Sequence, residues 1–294
     1  MSETIYISGY LKKTVRGKGI VKELNGLGKT IMQIPDSLHS GNEWCRDYMP
    51  VKATDDSFVL FKYCPAYLIG RSSYEKTIPD QLAICNHFSI PVVENKVQDI
   101  IMDGGAIEIY GKKAMISDRV FHENNCTWQK GTPTIYNRIK LLLRLDELIV
   151  VPSDPWDFTG HVDGLVRFIN DSEVLINDYS GMDQQIRNES KFVQEKYHLW
   201  KYNFEQTLSN AGLKAISLTC TVHQNKSDKA ATGVYMNFLK LDDKIIMPEF
   251  KDQDENNKKA ARILKSAYER EVIPVETTLL SEEGGIINCV TWTK

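Results

Sequence analysis

Short apolar runs set in pairs give this chain its pattern. Ser57–Lys62, Lys113–Asp118, Glu173–Asp178 and Lys244–Glu249 are each mostly apolar, and the last three end in an acid. Each follows another strand-like run, namely Arg46–Val51, Gly105–Ile109, His161–Phe168 and Gly233–Leu239. Two such runs joined by a short polar connection predict a hairpin. Helical patterns cover 132–146, 183–210 and 255–271. In the last, Ala260, Ile263, Leu264 and Ala267 recur at helical spacing.

The hairpins begin near positions 47, 103, 161 and 233, and a fifth unit begins near Ile286–Cys289. One strand–strand–helix unit cannot bury its own apolar face, so five of them predict a closed ring. The alternative is an ordinary α+β domain with coincidental similarity between segments. No Pro/Ser/Gly-rich linker divides the sequence, so the expectation is a single domain over residues 1–294.

Composition narrows the function classes. The 294 residues carry a net charge of −3, which argues against a general nucleic-acid binder. No apolar run approaches the roughly 20 residues that cross a bilayer. The first residues show no basic stretch followed by an apolar one, so no signal peptide is expected. Cysteines 45, 64, 85, 126, 220 and 289 have no paired spacing and read as reduced thiols of a cytoplasmic protein.

The candidate chemistry lies at the leading edges of the repeats. Asp47, Asp103, His161 with Asp163, and Cys289 all fall there, so a ring brings them to one end of its axis. His161 and Asp163, read as i and i+2 on a strand, share a face. Singly, each has a plainer reading. His161 suits a hydrogen-bonded core, Arg46-Asp47 an ion pair, Gly104-Gly105 after Asp103 a turn, and Cys289 an inert core thiol. A single cysteine with distant His and Asp partners is also a candidate nucleophile. Neither C-x-x-C nor H-E-x-x-H occurs, so no metal is expected, and no glycine pattern completes a phosphate loop.

Four ordered blocks carry a family resemblance: Trp44-x-Arg46-Asp47-x-x-Pro50, Asp103-Gly104-Gly105, Asp157-x-Thr159-Gly160-His161-Val162-Asp163, and Asn288-Cys289-Val290-Thr291. Together they resemble the agmatine deiminase and bacterial-type peptidylarginine deiminase family of guanidine-modifying enzymes. The resemblance implies a five-bladed α/β propeller (pentein). It implies Cys289 as nucleophile, His161 as general acid/base, Asp47 and Asp163 as the guanidinium grip, and Asp103 as support for the histidine. Asp103 stands where the family commonly has Glu. Glu108 replaces a His, and Asn288 replaces the His that usually precedes the cysteine. The implied reaction is deimination without a cofactor, with agmatine converted to N-carbamoylputrescine as the leading case. Free or peptidyl arginine, an amidinotransferase, and a binding propeller without turnover remain as alternatives. The implied partner is a small guanidino compound and the implied assembly a homodimer. For the substrate's second cation the candidates are Glu108, Trp156, Asp157, Tyr235 and Trp292, and Trp44 is a further substrate-binding candidate as an apolar wall. For an α-carboxylate they are Arg119 and Arg167.

Overall fold

The computed structural model describes residues 3–125, 132–221 and 230–294, so Cys126 lies outside the described residues. Five three-stranded sheets stand around a central axis. In each, a short leading strand runs antiparallel to a middle strand, which runs parallel to an outer one. The first blade is Val51–Lys52, Phe58–Lys62 and Val92–Ile101. The second is Ile107–Tyr110, Lys113–Ser117 and Glu147–Val151. The third is Val166–Phe168, Glu173–Asn177 and Lys214–Leu218. The fourth is Leu239–Lys240, Lys244–Glu249 and Glu271–Glu276. The fifth blade closes the ring with strands from both ends of the chain: Thr291–Thr293 pairs with Thr4–Ser8, which pairs with Thr30–Ile34. This is the five-bladed pentein architecture.

A parallel pair needs a crossover, and each blade supplies a helix for it: Gln81–His87, Thr132–Leu143, Lys191–Asn210, Asp254–Tyr268 and, in the fifth, Val15–Asn25. Three of these starts are fixed by side-chain caps. Asp80 accepts from Ala83 N–H, Ser190 from Val193 N–H and Thr14 from Gly17 N–H. Lys191–Asn210 buries Tyr197, Trp200, Phe204 and Leu208, a stripe at helical period.

The apolar core is divided among the seams. Val59 and Phe61 of the first blade pack with Ala114 and Ile116 of the second. Met115 and Ile149 pack with Phe168 and Val174 across the next seam. Leu175 packs with Ile245 and Met247, Ile246 with Ile5 and Ile7, and Tyr6 with Phe58 and Leu60. Every blade thus buries its faces against two neighbours, which is why a lone unit has no stable form.

Two expectations change. The leading segments are not continuous strands. Cys45–Tyr48 is a helical turn, Gly104–Ala106 a 3₁₀ turn, and residues 161–165 a loop and turn, with strands starting only afterwards. His161 and Asp163 therefore reach the axis from a turn, not from one face of a strand. The predicted helix over 183–210 is broken, running Ser180–Gln185, a 3₁₀ turn at Ile186–Asn188, then Lys191–Asn210.

Candidate active site at the propeller axis

The five turns meet around the axis, and each delivers one residue two to four positions ahead of its leading strand. In ring order these are Asp47, Gly105, Asp163, Asn237 and Cys289. Backbone bonds link neighbouring turns. Val162 and Asp163 N–H donate to Gly105 O, Asn288 N–H to Asn237 O, and Arg46 N–H to Cys289 O.

The glycine pair at 104–105 answers to crowding at the axis. A Cβ on Gly104 would lie 2.0 Å from Arg46 O. One on Gly105 would lie 2.6 Å from His161 Nδ1 and 2.9 Å from Asp47 Oδ1. The pair is needed for close approach more than for a turn. Gly105→Ala is therefore expected to displace His161 or Asp47. Overpacking of this kind costs about 1–3 kcal/mol, so the variant should melt lower and lose turnover together. Wild-type activity in that variant would show the axis to be looser than described.

His161, Asp47, Asp103 and Asp163 are all buried. His161 Nε2 is 3.0 Å from Asp103 Oδ2, and its Nδ1 is 3.7 Å from Asp47 Oδ1. A carboxylate at Nε2 holds the proton there and turns Nδ1 toward the axis. Burial pulls the imidazolium down, but Asp47, Asp103 and Asp163 outweigh it and raise its pKa to about 10. Asp47 is raised to about 7, chiefly by burial. The His161 charge opposes this, while the neighbouring Asp103 and Asp163 add to it. The shorter Asp103 thus reaches the histidine where the family commonly uses Glu.

Asp47 and Asp163 are each anchored through one oxygen. Asp47 Oδ1 accepts from Gly105 N–H at 3.0 Å, and Asp163 Oδ2 accepts from Asn288 Nδ2 at 2.7 Å. Asn288 is itself held by Arg46, whose guanidinium donates to Asn288 Oδ1 at 3.1 Å. Arg46 and Asp47 are therefore not an ion pair with each other. Cys289 is half-buried and free. Asn237 Oδ1 accepts from the N–H groups of Asn288 (3.1 Å) and Cys289 (3.3 Å), which fixes that atom as the oxygen. The Cys289 thiol donates to the same oxygen at 3.4 Å. An acceptor there suits the thiol, not the thiolate. Burial, then Asp163 and Asp47, push the thiol pKa well above its usual value.

Over these residues lies a cavity of 170 Å³. It is lined by Asp47, His161, Asp163, Asn237 and Cys289, with Trp44, Trp156 and Asp157 from the sequence-based candidates. Asp103 stands behind the histidine. Glu108 is not in the cavity, because its carboxylate faces Arg167 Nε at 3.0 Å. Tyr235 and Trp292 are buried elsewhere, bonded to Asn257 Oδ1 and Pro50 O. Arg119 pairs with Glu123. Neither Arg119 nor Arg167 lines the cavity, so the arginines suggested for an α-carboxylate are not placed to meet one.

Asn237, Asp154 and Tyr67 were not singled out from the sequence, and Asn288 was noted only as replacing a His. Asn237 could have been found by the offset from its leading strand that it shares with Gly105 and Cys289. The described residues contain no group of three His, Cys, Asp or Glu suited to a metal, and none of their helices is long and apolar enough to cross a membrane.

Residues 21–294 match the family described as Porphyromonas-type peptidyl-arginine deiminase. A Streptococcus mutans protein assigned as an agmatine deiminase is 22% identical over 220 residues, covering 67% of this chain and 57% of that protein. A Lactococcus lactis counterpart is 21% identical over the same shares. The match thus spans little more than half the length of these curated relatives. Among solved structures, the agmatine deiminase of Enterococcus faecalis superposes with a TM-score of 0.69 at 15% identity, covering 100% of this chain and 93% of that one. A Porphyromonas gingivalis protein assigned as an arginine deiminase gives 0.75 at 15% identity, covering 100% and 95%. These likenesses carry the fold, and the match over residues 21–294 carries the family: the chain belongs to the Porphyromonas-type peptidyl-arginine deiminase family.

Proposed function

We propose that the protein is a cysteine hydrolase that deiminates a guanidino compound, with agmatine as substrate and N-carbamoylputrescine and ammonia as products. The observation that carries this reading is the convergence of Cys289, His161, Asp47 and Asp163 on one cavity. A guanidinium is planar and always charged, and two carboxylates grip it through charge-assisted bonds. Asp47 and Asp163 each keep an oxygen for that purpose.

Burial, and then the two carboxylates that face it, keep Cys289 as a thiol in the empty site. An arriving guanidinium offsets their charge and favours the thiolate, the form that attacks, with the thiol proton leaving to solvent because His161 already carries its own. The Sγ–carbon bond forms, His161 gives its proton to one nitrogen, and the carbon–nitrogen bond breaks to release ammonia. Water then adds to the thiouronium carbon and yields its proton to the same histidine. The carbon–sulfur bond breaks, returning the thiolate and a ureido product. One group serving as acid and then as base is normal in two-step covalent catalysis.

Agmatine is favoured by the charge of the cavity. Asp154, Asp157, Asp178 and Glu283 line it beyond the guanidinium grip, while none of its described lining residues is Lys or Arg. An α-carboxylate meets no cation there, whereas a second ammonium meets acids. Of the four, Asp178 lies near Lys259 (3.7 Å), Glu283 near Arg16 (3.3 Å), and Asp157 Oδ1 accepts from Thr159. Among the described residues Asp154 accepts only the Trp156 N–H; burial raises its carboxyl to about 7, while Lys196, whose Nζ lies 5.4 Å from the Trp156 ring centroid, pulls it down. It has no ion pair within 4 Å among the described residues and is the acid we assign to a distal cation, beside a Trp156 ring that Lys196 already approaches.

The test is ammonia release with agmatine, free arginine and a blocked arginine peptide side by side, with agmatine expected to turn over fastest. Asp154→Asn should then raise KM for agmatine about tenfold, the loss of one charge-assisted contact. It should leave KM for butylguanidine, which lacks the ammonium, unchanged. Preference for either arginine substrate would overturn the agmatine assignment.

A further inference from the structure

We infer that Tyr67 is a positioning residue for His161, acting through Asp103. The Tyr67 hydroxyl donates to Asp103 Oδ2 at 2.9 Å, the same oxygen that meets His161 Nε2 at 3.0 Å. Asp103 Oδ1 is buried and has no hydrogen-bond partner among the described residues. All the polar contacts of this side chain therefore fall on one atom.

The end torsion of an aspartate is broad and two-fold. A single contact to the histidine leaves the carboxylate free to exchange its two oxygens. A second donor on the same oxygen, arriving from another blade, fixes the torsion and so the line of the Nε2–H bond. Tyr67 follows the middle strand of the first blade, Asp103 opens the second, and His161 opens the third. The Tyr67 ring also packs on Phe158, three residues before His161, with centroids 5.0 Å apart. One tyrosine thus braces both the carboxylate and the loop that carries the histidine.

The hydroxyl also divides the charge of Asp103. With it in place, the carboxylate serves two donors. With it gone, that charge falls on the imidazole alone, and the imidazolium is held more tightly.

The inference rests on the deiminase reading only for its kinetic part, so the decisive readout avoids turnover. Imidazole ¹⁵N shifts of His161, assigned with a His161→Asn variant, are followed against pH in the wild type and in Tyr67→Phe. The variant should titrate at higher pH. An unchanged His161 titration would overturn the inference, whether or not the protein releases ammonia. Where it does, Tyr67→Phe should lower kcat about tenfold with KM little changed, and should cost nothing further when added to Asp103→Asn, as expected for residues acting as a unit. Additive losses, or a rise in KM alone, would reduce Tyr67 to a packing residue of the cavity wall.

Discussion

Cys289→Ala is expected to abolish ammonia release and to leave the propeller folded. The nucleophile is the one group whose work no neighbour can do, and its removal is expected to cut turnover by at least about 10⁴-fold. The structural cost is small. Cys289 is half-buried, and its backbone N–H keeps its bond to Asn237 Oδ1. The seams that hold the ring draw on Val290, Ile287 and Trp292, not on this sulfur. Thermal unfolding should therefore stay within about 5 °C of wild type. Retained activity would refute the covalent mechanism. An unfolded variant would move Cys289 from the chemistry to the core.

In the same variant, binding of the guanidinium should tighten as pH rises through about 7 and should release protons. Asp47 is raised to about 7 by burial, so near neutrality the empty site still holds part of its proton. A bound cation favours the ionised carboxylate, so the proton leaves as the ligand arrives. Affinity below that pH should improve by up to about tenfold per unit for each carboxyl that must ionise, and should level off above it. Asp154, raised to about 7 as well, adds to this dependence for agmatine but not for butylguanidine. Calorimetry in two buffers of different ionisation enthalpy measures the proton count. Affinity independent of pH between 5 and 8 would show that Asp47 is already ionised in the empty site.

The stability of the empty protein runs the other way. His161 has a native pKa of about 10 against 6.5 for an unperturbed histidine. Its stabilisation is fully present below pH 6.5 and is lost as pH rises through 10. Asp47, also raised, favours the folded form most at low pH and loses that contribution as pH rises through 7. Both groups bind protons more tightly in the fold than in the unfolded chain.

Much of this was legible in the sequence, for identifiable reasons. The middle strands such as Glu173–Asn177 stood out because they are buried on both faces and read as continuous apolar runs. The ordered motifs around Asp47, Asp103, His161 and Cys289 survive because each is tied to a turn at the axis. The N-terminal strands Thr4–Ser8 and Thr30–Ile34 were not recognised as the missing part of the fifth blade. Closing a ring with both chain ends splits one repeat across the sequence, and no local pattern records that. The leading segments were misread as whole strands because a helical turn followed by two or three strand residues leaves the same apolar trace. Glu108 looked like a ligand for a cation, which it is, but the cation is Arg167 across the seam. Asn237 and Tyr67 carried no motif and became visible only through the atoms they touch.

The central claim is tested most directly by acid quench of the wild-type protein during turnover of agmatine, followed by mass analysis of the peptide that contains Cys289. A peptide heavier by agmatine less ammonia, absent in Cys289→Ala and formed as fast as ammonia appears, is the predicted result. Ammonia release at an undiminished rate in Cys289→Ala, with no adduct on the wild-type cysteine, would contradict it.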